Sequence, residues 1–161
     1  MATAYRYFPT KDALHLELAE IAPSLAPVEA QLQALSTDDV RQRLLKLLDT
    51  FAPIVLAEEE HYRTAARVYQ DTWLRSHRDG EQAPIVREGR RMRWLEQVLE
   101  PLEDLPTDHK RRLKAALALT LGIDPIIIMK DVCHLDDDDA LAVLRWAATA
   151  LLRAGLEEAA R

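Results

Sequence analysis

Thr3-Ala4-Tyr5-Arg6-Tyr7-Phe8-Pro9-Thr10-Lys11-Asp12-Ala13-Leu14 is the stretch on which the fold turns. Residues 2 to 8 read as the end of one helix, and Thr10 as the N-cap of the next. That second helix runs to about Ile21, because Ala13, Leu14, Leu18 and Ile21 recur at helical spacing. A lysine at a helix start adds its charge to exposed backbone N–H groups, so Lys11 marks a site suited to phosphate.

Tyr5, Tyr7, Phe8, Lys11 and Leu14 stand in register across this junction. In that arrangement the chain resembles the TetR family of transcriptional regulators, whose recognition helix closes on an aromatic pair before a Phe-x-x-Lys turn. The resemblance implies an all-α fold, with Tyr5, Tyr7 and Lys11 on DNA phosphates and Phe8 packed beneath the DNA-binding head. It implies residues 1-22 as a remnant of that head with its connecting helix, and 23-161 as an effector-binding and dimerisation body. An effector would tilt the helix after Lys11, change the spacing of two heads in a dimer and release the operator. A recognition helix needs a bracing helix on the DNA backbone, and here the brace would have to precede Met1. The expectation is that these residues alone do not bind DNA specifically, and that an operator is a partner only if the missing head is present.

Composition agrees with a helical body. The 161 residues suit one domain with a sizeable core, or a small head plus one domain. Apolar residues make up 48% of the chain and glycines number only four, which favours helices over sheets and argues against disorder. The net charge of −6 opposes nucleic-acid binding by this chain alone. A single cysteine, Cys133, excludes an internal disulfide and suits a reducing cytoplasm. No apolar run is long enough for a membrane span, so no membrane partner is expected.

Periodicity places the remaining helices, roughly eight or nine in all. Pro23 and Pro27 mark a bend or short linker. Ser36 or Thr37 caps a helix carrying Val40, Leu44, Leu47, Leu48 and Phe51, which Pro53 should kink or end. A helix from about Glu58 to Ser76 aligns Tyr62, Ala66, Tyr69 and Trp73, and His77 to Gly80 is a polar loop. Pro84 opens a helix with Ile85, Met92, Leu95, Leu99 and Leu102, bent or ended at Pro101. Thr107 caps a helix with Leu113, Leu117 and Leu121 that Gly122 stops. Asp124-Pro125 starts a short helix to about His134, and Asp136 or Asp137 opens the last one.

Nothing in the sequence carries the convergent groups of an enzyme, and no cofactor or metal is expected. Cys133 and His134 are neighbours and project about 100° apart on a helix, a poor nucleophile–base pair. Asp136 to Asp139 lack the alternating ligands of a calcium loop and read as helix capping. Arg87, Arg90, Arg91 and Arg93 read as a solvated face, with Arg90 and Arg93 the candidates for a turn into the core.

Two sites remain. A small apolar or aromatic effector is expected between the 58–76 and 84–104 helices, lined by Tyr62, Tyr69, Trp73 and Met92 with a polar anchor from His61, Tyr69 or Arg93. A homodimer is expected through Leu113, Leu117 and Leu121 on one helix and Leu141, Leu144, Ala148 and Leu151 on another. The other reading is a stand-alone helical dimer that sequesters a ligand or heterodimerises with an intact regulator.

Overall fold

A computed structural model describes residues 25–78 and 89–160. Tyr5, Tyr7 and Lys11, together with the helix start at Pro84 and Ile85, lie outside the described residues. Within them every regular element is helical: α1 (Ala26–Gln33), α2 (Val40–Ala57), α3 (Glu59–Arg78), α4 (Arg90–Val98), α5 (Thr107–Ala118), α6 (Ile123–Ile127) and α7 (Asp137–Ala159). A π-helical turn, Ile128–Val132, prolongs α6, so Ile126, Ile127 and Ile128 are helical despite their β-prone side chains. No described helix is long and apolar enough to cross a membrane.

Several helix boundaries depart from the sequence reading. Pro27 does not continue a linker but sits in the first turn of α1, where its missing N–H costs nothing. Asp39, not Ser36 or Thr37, caps α2: its Oδ1 accepts the N–H groups of Arg41 and Gln42 at 2.9 and 3.2 Å. The Thr37 hydroxyl serves one step earlier, accepting the Asp39 N–H at 3.1 Å. Pro53 does not end α2, which runs on to Ala57. The lost hydrogen bond is outweighed by burial on both sides of it, of Leu47, Leu48, Phe51, Ala52 and Val55. Thr107 is the first residue of α5 rather than its cap, and the preceding Pro106 makes no side-chain cap bond. Asp136 does cap α7, accepting the Asp139 N–H at 2.9 Å. Gly122 does not stop α5, which ends at Ala118 with Leu119 as its C-cap; it precedes α6 as its N-cap with φ +91°, a conformation that favours glycine.

Leu25–Ala57 and the residues from Gly89 onward form one compact unit, to which α3 does not belong. In that unit α1 packs on α2 and α4, α2 also on α4 and α7, and α5 on α4 and α7. The centre is aliphatic: Leu44, Leu47, Leu95, Val98, Leu99, Leu117, Leu121 and Ile126 are essentially without solvent contact. Trp94 is buried beside Phe51, ring centroids 5.0 Å apart and edge to face. Burying each such side chain is worth about 1.5–3 kcal/mol, so this aliphatic centre holds the unit together.

One cation crosses the core. Arg43 is buried on the apolar face of α2, where its Nε donates to the Thr37 carbonyl at 2.6 Å and its Nη1 to the Gln97 carbonyl at 2.8 Å. The same Nη1 lies 3.3 Å from Glu100, whose carboxylate is exposed. Arg43 thereby ties the α1–α2 loop to the C-terminal end of α4 and satisfies two carbonyls there.

Candidate functional site

The α5 and α7 helices, on which the sequence reading places a dimer, pack against each other. Gly155 lets the two helices approach closely: a Cβ there would come within 2.8 Å of Leu113 Cδ1. His109 Nε2 lies 2.6 Å from the Gly155 carbonyl, and Arg112 bridges to Glu158 at 2.7 Å. The sides of α5 and α7 that face inward hold Leu113, Leu117, Leu144, Ala148 and Leu152, all buried in the unit's own core.

That burial corrects the expected dimer surface. Leu113, Leu117, Leu121, Leu144 and Ala148 cannot face a partner while the unit stays folded, and Leu141 and Leu151 are half-buried. The free apolar surface lies on the opposite sides of the same helices. At about 100° per residue, Val143, Trp146, Ala147, Ala150 and Ala154 share the outer side of α7. Ala115 and Leu119 occupy the outer side of α5 and its C-terminal end. Trp146 and Leu119 are each 73% exposed.

The Arg112–Glu158 bridge fixes how these two sides meet. Leu119 lies seven residues from Arg112, and Ala154 lies four from Glu158, so both follow the edge along which the bridge joins the helices. Leu119 on α5 and Val143 and Trp146 on α7 are exposed apolar side chains set among alanines. Charges of both signs border it, with Arg153 and Glu157 3.9 Å apart on the α7 side.

The six residues expected to line an effector pocket divide between α3 and α4. On α3, His61, Tyr62 and Tyr69 are half-buried, with the His61 and Tyr62 rings edge to face at 5.7 Å. The Nε2 of His61 is buried and finds no hydrogen-bond partner among the described residues. Ala65, Ala66 and Val68 form the buried side of the helix. Trp73 is 52% exposed and stacks on His77, centroids 4.8 Å apart and the planes nearly parallel. On α4, Met92 is half-buried and Arg93 exposed. Since α3 lies outside the compact unit that contains α4, each set stands on its own helix.

On α4, Arg91 turns inward, a residue that the sequence reading placed on the solvated face. Arg91 Nη1 donates to the Leu121 carbonyl at 2.7 Å and lies 3.3 Å from Asp124, so it closes the C-terminal end of α5 beside Gly122. Arg91 and Arg43 were both legible at helical spacing: Arg91 lies four residues before the buried Leu95, and Arg43 four before the buried Leu47.

The remaining reactive groups are structural. Cys133 is exposed, and His134 follows with φ 57° at the end of the π turn. Lys130 pairs with Asp137 at 2.7 Å, and no three His, Cys, Asp or Glu side chains gather for a metal ion among the described residues. Compared with known protein families, curated proteins and solved structures, the chain matches none.

Proposed function

We propose that this chain is the regulatory body of a TetR-like transcriptional regulator, a homodimer that responds to a small apolar or aromatic effector. The observation that carries the reading is the outer strip of α5 and α7, where Trp146 and Leu119 stand in water beside Ala147, Ala150 and Ala154. Two such strips pack as a four-helix bundle, with the alanines letting the helices close and Trp146 as an aromatic anchor. A C2 dimer of this kind is the platform on which two DNA heads can be held at a fixed separation. The junction at Tyr5, Tyr7, Phe8 and Lys11 supplies the resemblance to such a head.

Effector sensing is assigned to α3 on the strength of His61. A buried ring nitrogen that no described residue satisfies favours a ligand that brings a hydrogen-bonding group to it. Tyr62 and Tyr69 on the same helix add aromatic surface with polar tips.

Selection from a random pool of duplex DNA tests the regulatory reading, using protein made from its native reading frame with any in-frame codons upstream of Met1. The expected result is a palindrome with half-sites about one helical turn apart, mirroring the dimer axis. A dimer that enriches no DNA sequence would sink the regulator and leave a ligand-binding dimer.

A further inference from the structure

The π turn after α6 keeps its apolar side chains in water. Ile123 and Ile126 of α6 are buried in the core, yet none of the five residues Ile128–Val132 is. Ile128 is 50% exposed and Val132 69%. The Ile128 carbonyl accepts the Cys133 N–H at 3.0 Å, so Val132 stands about one turn beyond Ile128 and on the same side.

The start of α7 is held against this turn. Lys130 pairs with Asp137 at 2.7 Å, and the Leu135 N–H donates to the Met129 carbonyl at 3.0 Å. Asp136 to Asp139 are all exposed, and at the rise of a helix they lie within about 5 Å of one another along its axis. Asp136 serves as the cap and Asp137 is paired with Lys130. The carboxylates of Asp138 and Asp139 have no hydrogen-bond or ion-pair partner among the described residues. A helix N-terminus tolerates such acids, but the local charge stays negative: from Ile128 to Asp139 one lysine stands against five aspartates.

The charge decides what can cover the apolar pair. Phosphate-bearing partners, nucleic acid and anionic lipid alike, are repelled here, and so is an acidic protein segment. A second copy related by a two-fold axis through this surface would bring the same aspartates onto themselves. We infer that the π turn and the first turn of α7 form a docking surface for a basic amphipathic protein segment. Its apolar residues cover Ile128 and Val132, and its Lys or Arg side chains pair with Asp138 and Asp139. Two apolar side chains offer little area, so the contact is transient and sensitive to salt. The inference does not depend on the regulatory reading, since the surface needs neither DNA nor Trp146.

Fluorescence anisotropy with the whole chain and three labelled peptides of about three helical turns tests it: leucine–lysine, leucine–glutamate and serine–lysine, in one pattern. The leucine–lysine peptide is expected to bind at least about tenfold tighter than either of the others, because only it is both apolar and cationic. V132S and the double variant I128S/V132S should each weaken it, the double about tenfold or more, with unchanged helical circular dichroism because both side chains are exposed. D138N/D139N should weaken it several-fold, whereas E103Q/D104N removes the same charge from the exposed α4–α5 loop and should leave it unchanged. Bound peptide should also slow alkylation of Cys133, the single thiol, which follows Val132. Equal affinity for the three peptides, equal effects of the two charge-removing pairs, or a Cys133 rate unchanged at saturating peptide overturns the inference. So does a parent dimer that I128S/V132S converts to a folded monomer, which gives this surface to a second copy.

Discussion

Replacing Arg43 by Met tests the claim that a buried cation joins the α1–α2 loop to α4. The substitution keeps most of the unbranched stem that lies in the core and removes the guanidinium. Lost with it are the bonds to the Thr37 carbonyl at 2.6 Å and the Gln97 carbonyl at 2.8 Å. Hydrogen bonds from a charged donor contribute about 1.5–3 kcal/mol each, and both carbonyls are only partly buried, so the expected loss is about 2–4 kcal/mol. The Glu100 contact contributes little, because that carboxylate is 72% exposed and screened by water. E100Q should therefore cost less than about 0.5 kcal/mol. With a urea slope of about 1–3 kcal/mol/M, R43M should lower the midpoint by about 0.7–4 M. Trp94 reports on this unit, and W73F and W146F remove the two exposed indoles from the signal. A midpoint for R43M within error of the parent, or an E100Q effect as large as R43M, would refute the reasoning.

Gly122 adopts φ +91° and ψ −162°, a region that side chains disfavour, and a Cβ would lie 2.8 Å from Arg91 Nη1. G122A should cost about 1–3 kcal/mol, seen as a lowered melting temperature by calorimetry, with Arg91 displaced from the Leu121 carbonyl. The Lys114 ammonium, hydrogen-bonded to Glu96, holds that carboxyl below its ordinary value of 4.5. A depressed carboxylate stabilises the fold above its unfolded value and loses that contribution as pH falls through the folded one. Between pH 5 and pH 3, E96Q should therefore lose less stability than the parent, by about 0.5 kcal/mol for so exposed a group. Acid titrations of urea stability that superimpose for the two proteins would remove the pair from the account. D136A should cost about 1 kcal/mol by removing the cap that accepts the Asp139 N–H, as read from the urea midpoint.

Much of the fold was legible because helices announce themselves locally. Scarce glycine and apolar residues at helical spacing point to the all-α class, and the acids at the start of α7 narrow its cap to Asp136 or Asp137, of which the backbone uses Asp136. The start of α2 was read early because Ser36, Thr37 and Asp39 are all capping residues, and only the backbone decides which of them turns. Pro53 was weighted as a breaker, but tertiary burial around it outweighs one lost hydrogen bond. Any surface for a second copy is harder to read from a sequence, for a general reason. Leu113, Leu117, Leu144 and Ala148 form the stripe that any partner helix selects, and a sequence does not say whether that partner is in the same chain or another. Exposure separates the two, and Trp146 and Leu119 are among the large apolar side chains that stay in water. Arg43 and Arg91 lie on the apolar spacing, but arginine is usually solvated, so spacing alone does not mark them as inward-facing.

Sedimentation equilibrium of the parent chain, W146E and A148E at micromolar concentration bears most directly on the dimer reading. The parent should run at twice the 18.3 kDa chain mass. W146E places a charge in the outer strip and should give a monomer of 18.3 kDa with unchanged helical circular dichroism. A148E buries a charge in the core of the unit itself and should lose helical signal together with any assembly. A W146E protein that remains a dimer, or an A148E protein that becomes a well-folded monomer, would contradict the account and return the interface to the inner faces of α5 and α7.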